Sequence, residues 1–397
     1  MGVHLNTKIY ISRFSCIFVI ITFCTFGVKE TDGKEILIGM TTALSGPAEA
    51  LGQGMKLGVE VYFNKINKTG GINNNILKLV AVDDGYEPYH AAPNMRKLIN
   101  KSNVIAVIGN VGTPTAIVTV PIANEKRTLL FGAFTGAGVL RKNPPDRYVI
   151  NYRASYAEET AAMIDGLIRI GVKPSEIAFF TQNDGYGDAG YNGAVKALRA
   201  TGYNYVEKLS HGRYTRNTLN VEDGLATILD AKIEPKAIIL VGAYAPCAKF
   251  IKMAREDFPD VIFLNVSFVG SVPLAKELGS AGEGVIVTQV VPHFNSDLPG
   301  IKEYQRALSD YSTEAEAGFV SLEGFLAAKI FVNGLKAAGS DITKESIIDG
   351  IESLKDLDIG IGININLSKT EHQGCHRVWP TIIKDGKYMS LNWSDLK

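Results

Sequence analysis

The chain carries at residues 108–119 the segment IGNVGTPTAIVT, in which an apolar strand leads through a glycine loop into a helix. Thr113 is predicted to cap that helix, with Pro114 in its first position. The segment LLFGAFTGAG at 129–138 repeats the arrangement with Thr135. Hydroxyl groups and the N–H groups of a helix start favour a carboxylate or another small polar group. Neither loop holds an acidic, basic, histidine or cysteine side chain, so the pattern indicates binding rather than catalysis.

Length and charge narrow the class of protein. The 397 residues allow two or three domains with substantial cores. Lys and Arg together number 41, as do Asp and Glu, so the chain lacks the basic excess that nucleic-acid binding requires. A nucleic-acid partner is therefore not predicted.

The N-terminus has the pattern of a secretory signal peptide. Lys8 and Arg13 precede an apolar run at 14–26, which is shorter than the roughly 20 residues that span a membrane. Residues 1–27 are predicted to be a signal peptide, with a retained anchor as the alternative. The mature protein is therefore expected to be periplasmic or otherwise extracytoplasmic.

Strand-like and helix-like segments alternate along the rest of the chain. Apolar residues at helical spacing predict helices near 52–67, 321–339 and 344–354. Continuous apolar runs predict strands at 35–40, 76–84, 104–109, 128–134, 147–152, 177–182, 204–209, 237–242, 261–266 and 284–290. Such runs are typical of parallel strands that helices cover on both faces. The pattern predicts an α/β fold with two doubly wound, mainly parallel sheets, and a crossing between them near 151–159.

Three tyrosines follow predicted strands, at the ends expected to face a cleft between the two sheets. Tyr152, Tyr186 and Tyr244 are predicted to form ligand walls that offer both a ring and a hydroxyl. Tyr186 lies inside GYGDAG (185–190), a formal dinucleotide-binding motif. The turn before this motif is longer than in a dinucleotide site, and the motif lies in a chain with a predicted leader. Both features favour a loop that directs Tyr186 into the cleft, rather than a cofactor site.

The remaining motifs give no sign of chemistry. HQGCH at 372–376 has no second His or Cys pair at metal-binding spacing, so packing at the surface or hinge is favoured. No metal and no cofactor are predicted. Cys247 and Cys375 remain after the leader, and either a disulfide or two free buried thiols would fit an exported protein. Pro121 predicts that the helix after Thr113 is short or kinked.

The sequence resembles the type I periplasmic solute-binding proteins, and among them the leucine/isoleucine/valine-binding group that serves ABC importers. The resemblance rests on segments spread over the mature chain: LSGPAEALGQGMKLGVEVYFNKINKTGGINNNILKLVAVDDGYEP (44–88), IGNVGTPT, FGAFTGAG, QNDGYGDAG (182–190), LVGAY (240–244), the SLEGF helix and the tail HQGCHRVWPTIIKDGKY. It implies two Rossmann-like lobes that are joined by three crossings and close on a ligand by hinge motion. The implied first lobe covers 33–152 plus 289–372, and the second covers 153–288 plus 373–397.

The resemblance also implies a ligand site. In this family, first-lobe hydroxyl and backbone N–H groups hold the α-carboxylate of an amino acid, and second-lobe aromatic residues close over it. The matching residues are Thr113, Ala133 and Thr135 in the first lobe, and Tyr186 and Tyr244 in the second. Phe134 and Tyr152 complete the predicted set of ligand-binding residues.

One position departs from the family pattern. The residue that holds the ligand ammonium in amino-acid binders corresponds here to Ser267, and no acidic residue occurs in 261–276. Because a buried ammonium without a carboxylate partner is costly, the ammonium half of the site is expected to be changed. Asp184 could substitute if its side chain points inward. Otherwise a small organic carboxylate or a neutral amide would fit such a neutral pocket.

The predicted function is that of an exported solute receptor. We expect it to act as a monomer that delivers a small-molecule ligand to the membrane permease of an ABC importer. The alternative is a receptor of the same fold that reports an amide-like or urea-like ligand to a signalling partner. An enzyme is not predicted, because the sequence offers no nucleophile–base or metal constellation.

Overall fold

The computed structural model describes residues 1–2 and 33–396. Apart from its first two residues, the predicted signal peptide lies outside the described residues. From Gly33 onward, strands and helices alternate to build two large sheets. Among the described residues, no helix combines the length and the apolar character needed to cross a membrane.

The first sheet comes from the N-terminal part of the described chain. Its strands are β1 (Glu35–Thr42), β2 (Ile76–Asp83), β3 (Ala106–Ile108), β4 (Leu129–Phe131) and β5 (Val149–Ile150). They pair in the order β2-β1-β3-β4-β5, and every pairing is parallel. The helices that connect them are α1 (Glu49–Asn67), α2 (Pro88–Asn100) and α3 (Thr113–Glu125). Helices cover this parallel sheet, and β3, β4 and β5 are accordingly buried at every residue.

The second sheet takes strands from the middle and the end of the chain. The elements of its central part are α4 (Tyr156–Arg169), β6 (Ile177–Gln182), α5 (Gly185–Ala200), β7 (His211–Tyr214), α6 (Glu222–Leu229), β8 (Ala237–Val241), α7 (Tyr244–Asp257), β9 (Ile262–Asn265), α8 (Ser271–Leu278) and β10 (Ile286–Gln289). The remaining elements are α9 (Pro299–Tyr311), α10 (Phe319–Ala337), α11 (Lys344–Glu352), β11 (Leu357–Asp358), β12 (Asn364–Ile365), β13 (Trp379–Lys384) and β14 (Lys387–Ser390).

The strand order of the second sheet is β14-β13-β10-β9-β8-β6-β7. Strands β6 to β10 pair in parallel, whereas β13 and β14 add two antiparallel strands at one edge. The α/β prediction with two mainly parallel sheets is confirmed. We call the lobe built on the first sheet lobe 1 and the lobe built on the second sheet lobe 2.

Helices α1 and α10 pack unusually closely in lobe 1. A Cβ atom added to Gly58 of α1 would overlap the carbonyl oxygen of Ser321 and lie 2.6 Å from the backbone nitrogen of Phe325. Beside this contact, the rings of Tyr62 and Phe325 meet edge to face with centroids 4.9 Å apart. The glycine therefore allows the two backbones to touch, and this contact fixes the position of α10.

Replacing Gly58 by alanine is expected to lower the free energy of unfolding by about 1–3 kcal/mol, because backbone atoms of α10 must move to admit the methyl group. The matched control is Gly54→Ala in the same helix, where the new Cβ would lie 2.9 Å from Cγ1 and 3.0 Å from Cβ of Val320, a milder contact with a side chain instead of an overlap with backbone atoms. Both changes gain the same helix propensity. Urea unfolding of the two variants measures the difference, and equal stabilities would contradict the proposed backbone clash.

The structure differs from the sequence predictions at two elements. The strand predicted at 204–209 is wrong, because this segment makes a 3₁₀ turn at Val206–Lys208, and the edge strand beside β6 is β7 (His211–Tyr214). Val206 and Leu209 are buried from the turn, which accounts for the apolar pattern. For the helix that contains Pro121, the sequence predicted a short or a kinked helix, and the structure excludes the short one, because α3 extends over 13 residues through the proline.

Both cysteines of the described chain, Cys247 and Cys375, are buried free thiols. The sequence left open a disulfide or two free thiols, and the structure has the two free thiols. The strands of the first sheet fall between residues 35 and 150, while β13 and β14 return the chain to lobe 2. The residue limits given above for the two lobes stay a prediction.

Candidate functional site

Two threonine hydroxyls meet where β3 and β4 end. Thr113 is the first residue of α3, and Thr135 follows β4. Their side-chain oxygens are 2.6 Å apart, and both residues are buried. The two loops are joined by hydrogen bonds from Phe134 N to Asn110 O (2.8 Å) and from Gly112 N to Phe134 O (3.2 Å). The sequence prediction that these two threonines lie together at one sheet edge agrees with this geometry.

The start of α3 differs from the prediction in one respect. Gly112, not Thr113, is the N-cap residue, and no side chain caps this helix. Gly112 has a φ of 107°, and an added Cβ would overlap the ring of Tyr86, so only glycine fits. Because the first-turn N–H groups receive no side-chain cap, this positive helix end keeps its capacity to hold an anion.

Lobe 2 lies directly against these threonines. A Cβ atom added to Gly185, the first residue of α5, would lie 3.8 Å from Thr113 Cγ2 and 2.7 Å from Ile117 Cδ1. The formal dinucleotide motif therefore forms a loop and helix start that close over the lobe 1 loop, and Asp184 caps this helix by accepting a hydrogen bond from Tyr186 N at 3.0 Å. The preference for a loop over a cofactor site is consistent with this contact.

An aromatic cluster lies between the lobes, with Phe268 of lobe 2 at its centre. The centroid of Phe268 is 4.5 Å from that of Tyr186 and 5.2 Å from that of Phe134 in lobe 1. Tyr86 and Tyr156 complete the cluster at 5.9 and 6.5 Å from Phe268. The sequence predicted Tyr186 and Phe134 as site residues, but not the other three. Phe268 directly follows Ser267, which aligns with a ligand-binding position of the family, and this neighbouring position was the sequence signal that could have identified it.

The other predicted site residues lie at different places. Ala133 is buried beside Phe134 and accepts a hydrogen bond from Thr135 N at 2.8 Å. Tyr152 is buried in the main core, and its hydroxyl lies 3.5 Å from the carbonyl oxygen of Val290. Tyr244 is half-buried at the start of α7, outside the aromatic cluster. Thus the structure brings Tyr186, but not Tyr152 or Tyr244, into that cluster.

Ser267 lies in a strongly charged environment, so the neutral pocket expected from the sequence is wrong. The Arg153 guanidinium donates a hydrogen bond to Ser267 Oγ. The Glu159 carboxylate accepts hydrogen bonds from Ser267 N at 2.7 Å and from Ser267 Oγ at 2.9 Å. Glu323 of α10 faces the same guanidinium with Oε1 3.5 Å from Nη1. We call Arg153, Glu159 and Glu323 the buried triad.

The buried triad could not be predicted from residues 261–276, because its three members lie elsewhere in the chain. Arg153 is in the crossing between the sheets, Glu159 is in α4 and Glu323 is in α10. Asp184 does not substitute for a missing acid in the cleft, since its carboxylate caps α5 and accepts hydrogen bonds from Gln182 at 2.8 Å and from Arg216 at 2.9 Å.

The electrostatics of the buried triad are dominated by the loss of water. Arg153 is 1% exposed, Glu159 0% and Glu323 3%. Burial raises the pKa of Glu323 to about 7, against the attraction of Arg153. Burial also raises the pKa of Glu159 above its ordinary value, although three hydrogen bonds from Ser267 and Thr288 favour its charged form. The triad therefore holds an acid that can carry a proton near neutral pH.

The Arg153 guanidinium is not fully paired. Its Nε atom is buried and makes no hydrogen bond within the described residues, and its Nη1 atom has only the Glu323 carboxylate, 3.5 Å away. The guanidinium carbon of Arg153 is 4.7 Å from the centre of the Phe134 ring and 5.8 Å from that of Tyr156. Buried donors without acceptors are costly, and they are typical of sites that receive a polar ligand.

Direct contacts tie the two lobes together away from the buried triad. Arg216 of lobe 2 pairs with Glu87 of lobe 1 at 2.7 Å. Asn217 donates a second hydrogen bond to Glu87 at 2.7 Å, and Gln182 donates one to the Tyr86 hydroxyl at 3.1 Å. The structure therefore has the lobes in contact around the aromatic cluster.

The HQGCH motif contributes to packing near the crossings. His372 is buried and faces Glu352 at 3.1 Å, while His376 faces Glu158 at 2.7 Å. Within the part of the chain that the structure describes, no three His, Cys, Asp or Glu side chains come together as a candidate metal site.

Comparisons with known proteins agree with this architecture. The sequence pattern of the family described as periplasmic binding protein matches residues 35–387. A Leu/Ile/Val-binding protein homolog from Brucella abortus is 25% identical over 327 residues, which cover 77% of this chain and 78% of the relative.

Solved structures show the same fold. A crystal structure from Rhodopirellula baltica, described as a possible leucine/isoleucine/valine-binding protein, is 48% identical with a TM-score of 0.90, and the match covers 93% of this chain and 99% of that one. A substrate-binding periplasmic protein from Ralstonia solanacearum is 28% identical with a TM-score of 0.81, covering 88% and 98% of the two chains. These relatives are binding proteins, which confirms the expectation that the chain is not an enzyme.

Proposed function

The chain belongs to the periplasmic binding protein family, and from this premise we propose that it captures a small carboxylate-bearing solute between its two lobes. We further propose that it works outside the cytoplasmic membrane, as a monomer, and hands the solute to the permease of an ABC importer. The names of the relatives, which refer to leucine, isoleucine and valine, support a ligand of amino-acid size.

The observation that carries the proposal is the pair of buried hydroxyls of Thr113 and Thr135 at the uncapped start of α3. Two hydroxyls and free helix N–H groups supply donors on one side of a carboxylate, and the helix dipole adds a favourable potential. Lobe 2 approaches the same place through Gly185 and Tyr186, so a bound solute would be enclosed from both sides. Enclosure between lobes is how a hinged receptor excludes water from its ligand.

Replacing Thr113 by valine is expected to weaken carboxylate binding by about 1–3 kcal/mol, because a ligand oxygen loses its donor while the side-chain shape is kept. The measurement is titration calorimetry with solutes first found by a thermal-shift screen of amino acids, organic carboxylates and amides.

The matched control is Thr119→Val, a buried threonine of the same helix whose hydroxyl bonds to the carbonyl oxygen of Thr115 at 2.9 Å. This change should leave the affinity unchanged. If Thr113→Val bound as tightly as the wild type, the carboxylate would have to lie elsewhere. If only ligands without a carboxylate gave a shift, the proposed ligand class would be rejected.

A further inference from the structure

We propose that Arg153 is the residue that determines ligand selectivity: its buried guanidinium receives a hydrogen-bond acceptor next to the ligand carboxylate and disfavours an α-ammonium. The solute class this selects is the 2-oxo acids or 2-hydroxy acids, rather than the corresponding α-amino acids. The inference rests on the proposed function, because it assumes that Thr113 and Thr135 hold the carboxylate.

The first argument is the set of buried donors without acceptors. Arg153 is 1% exposed, yet its Nε atom makes no hydrogen bond among the described residues, and its Nη1 atom has only the Glu323 carboxylate 3.5 Å away, beyond good hydrogen-bond distance. A keto or hydroxyl oxygen of a ligand can satisfy such donors, whereas an ammonium brings only more donors. An unpaired buried donor thus becomes paired only with the acceptor-bearing ligand.

The second argument is position. The guanidinium carbon of Arg153 is 4.7 Å from the ring centre of Phe134, the residue directly before Thr135. The ring of Phe134 also contacts Phe268 of lobe 2, so this guanidinium lies where both lobes meet. Arg153 therefore presents hydrogen-bond donors beside the predicted carboxylate position, where a ligand acceptor can pair with them and an ammonium cannot.

The third argument concerns the acids that could hold an ammonium. Glu159 already accepts hydrogen bonds from Ser267 N, Ser267 Oγ, Thr288 Oγ1 and Arg153, which leaves little capacity for a ligand. Glu323 accepts no hydrogen bond among the described residues, but its Oε1 lies 3.5 Å from Arg153 Nη1 in an ion pair. An ammonium that reached Glu323 would have to lie beside the guanidinium, which is unfavourable.

The test compares matched pairs of solutes by titration calorimetry on the whole mature protein. The pairs are alanine with pyruvate, valine with 3-methyl-2-oxobutanoate, leucine with 4-methyl-2-oxopentanoate, and phenylalanine with phenylpyruvate. For the side chain that fits best, we expect the oxo acid to bind about 10- to 100-fold more tightly than its amino acid, the value of one buried hydrogen bond to a charged group.

A variant separates selectivity from folding. Arg153→Lys keeps the positive charge between Glu159 and Glu323 but removes the fork of N–H donors. It is expected to reduce the preference for the oxo acid by about tenfold or more, a ratio that a merely structural role would leave unchanged. Circular dichroism and urea unfolding verify that the variant is folded. The matched control is Arg199→Lys, which changes an arginine in a solvent-exposed ion pair with Glu207 and should leave the preference unchanged.

The outcomes distinguish the two proposals. If an amino acid binds as tightly as its oxo acid or more tightly, the inference about Arg153 is overturned and the carboxylate receptor remains. An unchanged ratio in a folded Arg153→Lys protein overturns it as well. If no carboxylate of any pair binds, the proposed function itself fails.

Discussion

Replacing Arg153 by methionine is expected to lower the free energy of unfolding by about 3–5 kcal/mol at pH 8, since removing one partner of a buried ion pair leaves an uncompensated charge. Here two carboxylates lose their cation. Glu159 Oε1 lies 3.4 Å from Arg153 Nη2, and Glu323 Oε1 lies 3.5 Å from Arg153 Nη1. Methionine retains most of the volume, so the loss reports on charge rather than on a cavity. Urea unfolding at constant ionic strength measures it.

The matched control is Arg199→Met, which removes an arginine from a solvent-exposed ion pair with Glu207 at 2.6 Å. That pair is exposed to water, and its loss is expected to cost much less than the loss at Arg153. The cost at Arg153 should also shrink at pH 5, because the raised pKa values of Glu159 and Glu323 let the two acids take up protons. Equal costs for the two arginines would show that the buried triad contributes no more than a surface pair.

The free energy of unfolding of the wild type is expected to fall as the pH rises because Glu323 ionises, and replacing Glu323 by glutamine is expected to abolish this part of the fall. Burial raises the pKa of Glu323 from 4.5 in the unfolded chain to about 7 in the folded protein. The folded state therefore binds the proton more tightly, so this group favours folding below pH 4.5 and loses that contribution as the pH passes 7. Linkage gives a loss on the order of 3 kcal/mol over this window.

The measurement is the free energy of unfolding of the wild type and of Glu323→Gln at pH 5 and pH 8. Other titrating groups are common to both proteins and cancel in the difference. The variant should gain on the wild type by about 2.5 kcal/mol between the two values, because part of the loss has already occurred at pH 5. If the wild type instead gained on the variant toward pH 8, the attraction of Arg153 would outweigh the cost of burial.

The fold could be predicted from local patterns because parallel strands under helices are apolar along their whole length. Strand β8 is buried at all five residues, and the run at 237–242 predicted it closely. The same rule failed at 204–209, where Val206 and Leu209 are buried from a 3₁₀ turn rather than from a strand. The spacing of apolar residues indicates which side chains are buried, but burial alone does not determine whether the backbone forms a strand or a turn.

The candidate site was only half predictable. Thr113 and Thr135 each follow a strand of one sheet, and parallel strands bring such residues to the same edge. The buried triad has no comparable local signal. Glu159 is in the first turn of α4, where an acidic residue is expected for the helix dipole alone. Glu323 stands among apolar residues of α10, which was the one hint of a buried acid.

The contacts of Arg216 and Asn217 with Glu87 join lobe 2 to lobe 1 without the help of a ligand. On the proposed hinge mechanism, these contacts contribute to the population of closed molecules before any ligand arrives. Apparent affinity would then be the intrinsic affinity scaled by that population, by the same factor for every solute. The proposal therefore assigns affinity and selectivity to separate residues, so that mutation of Glu87 or Arg216 would change how tightly solutes are held without altering which solute is preferred.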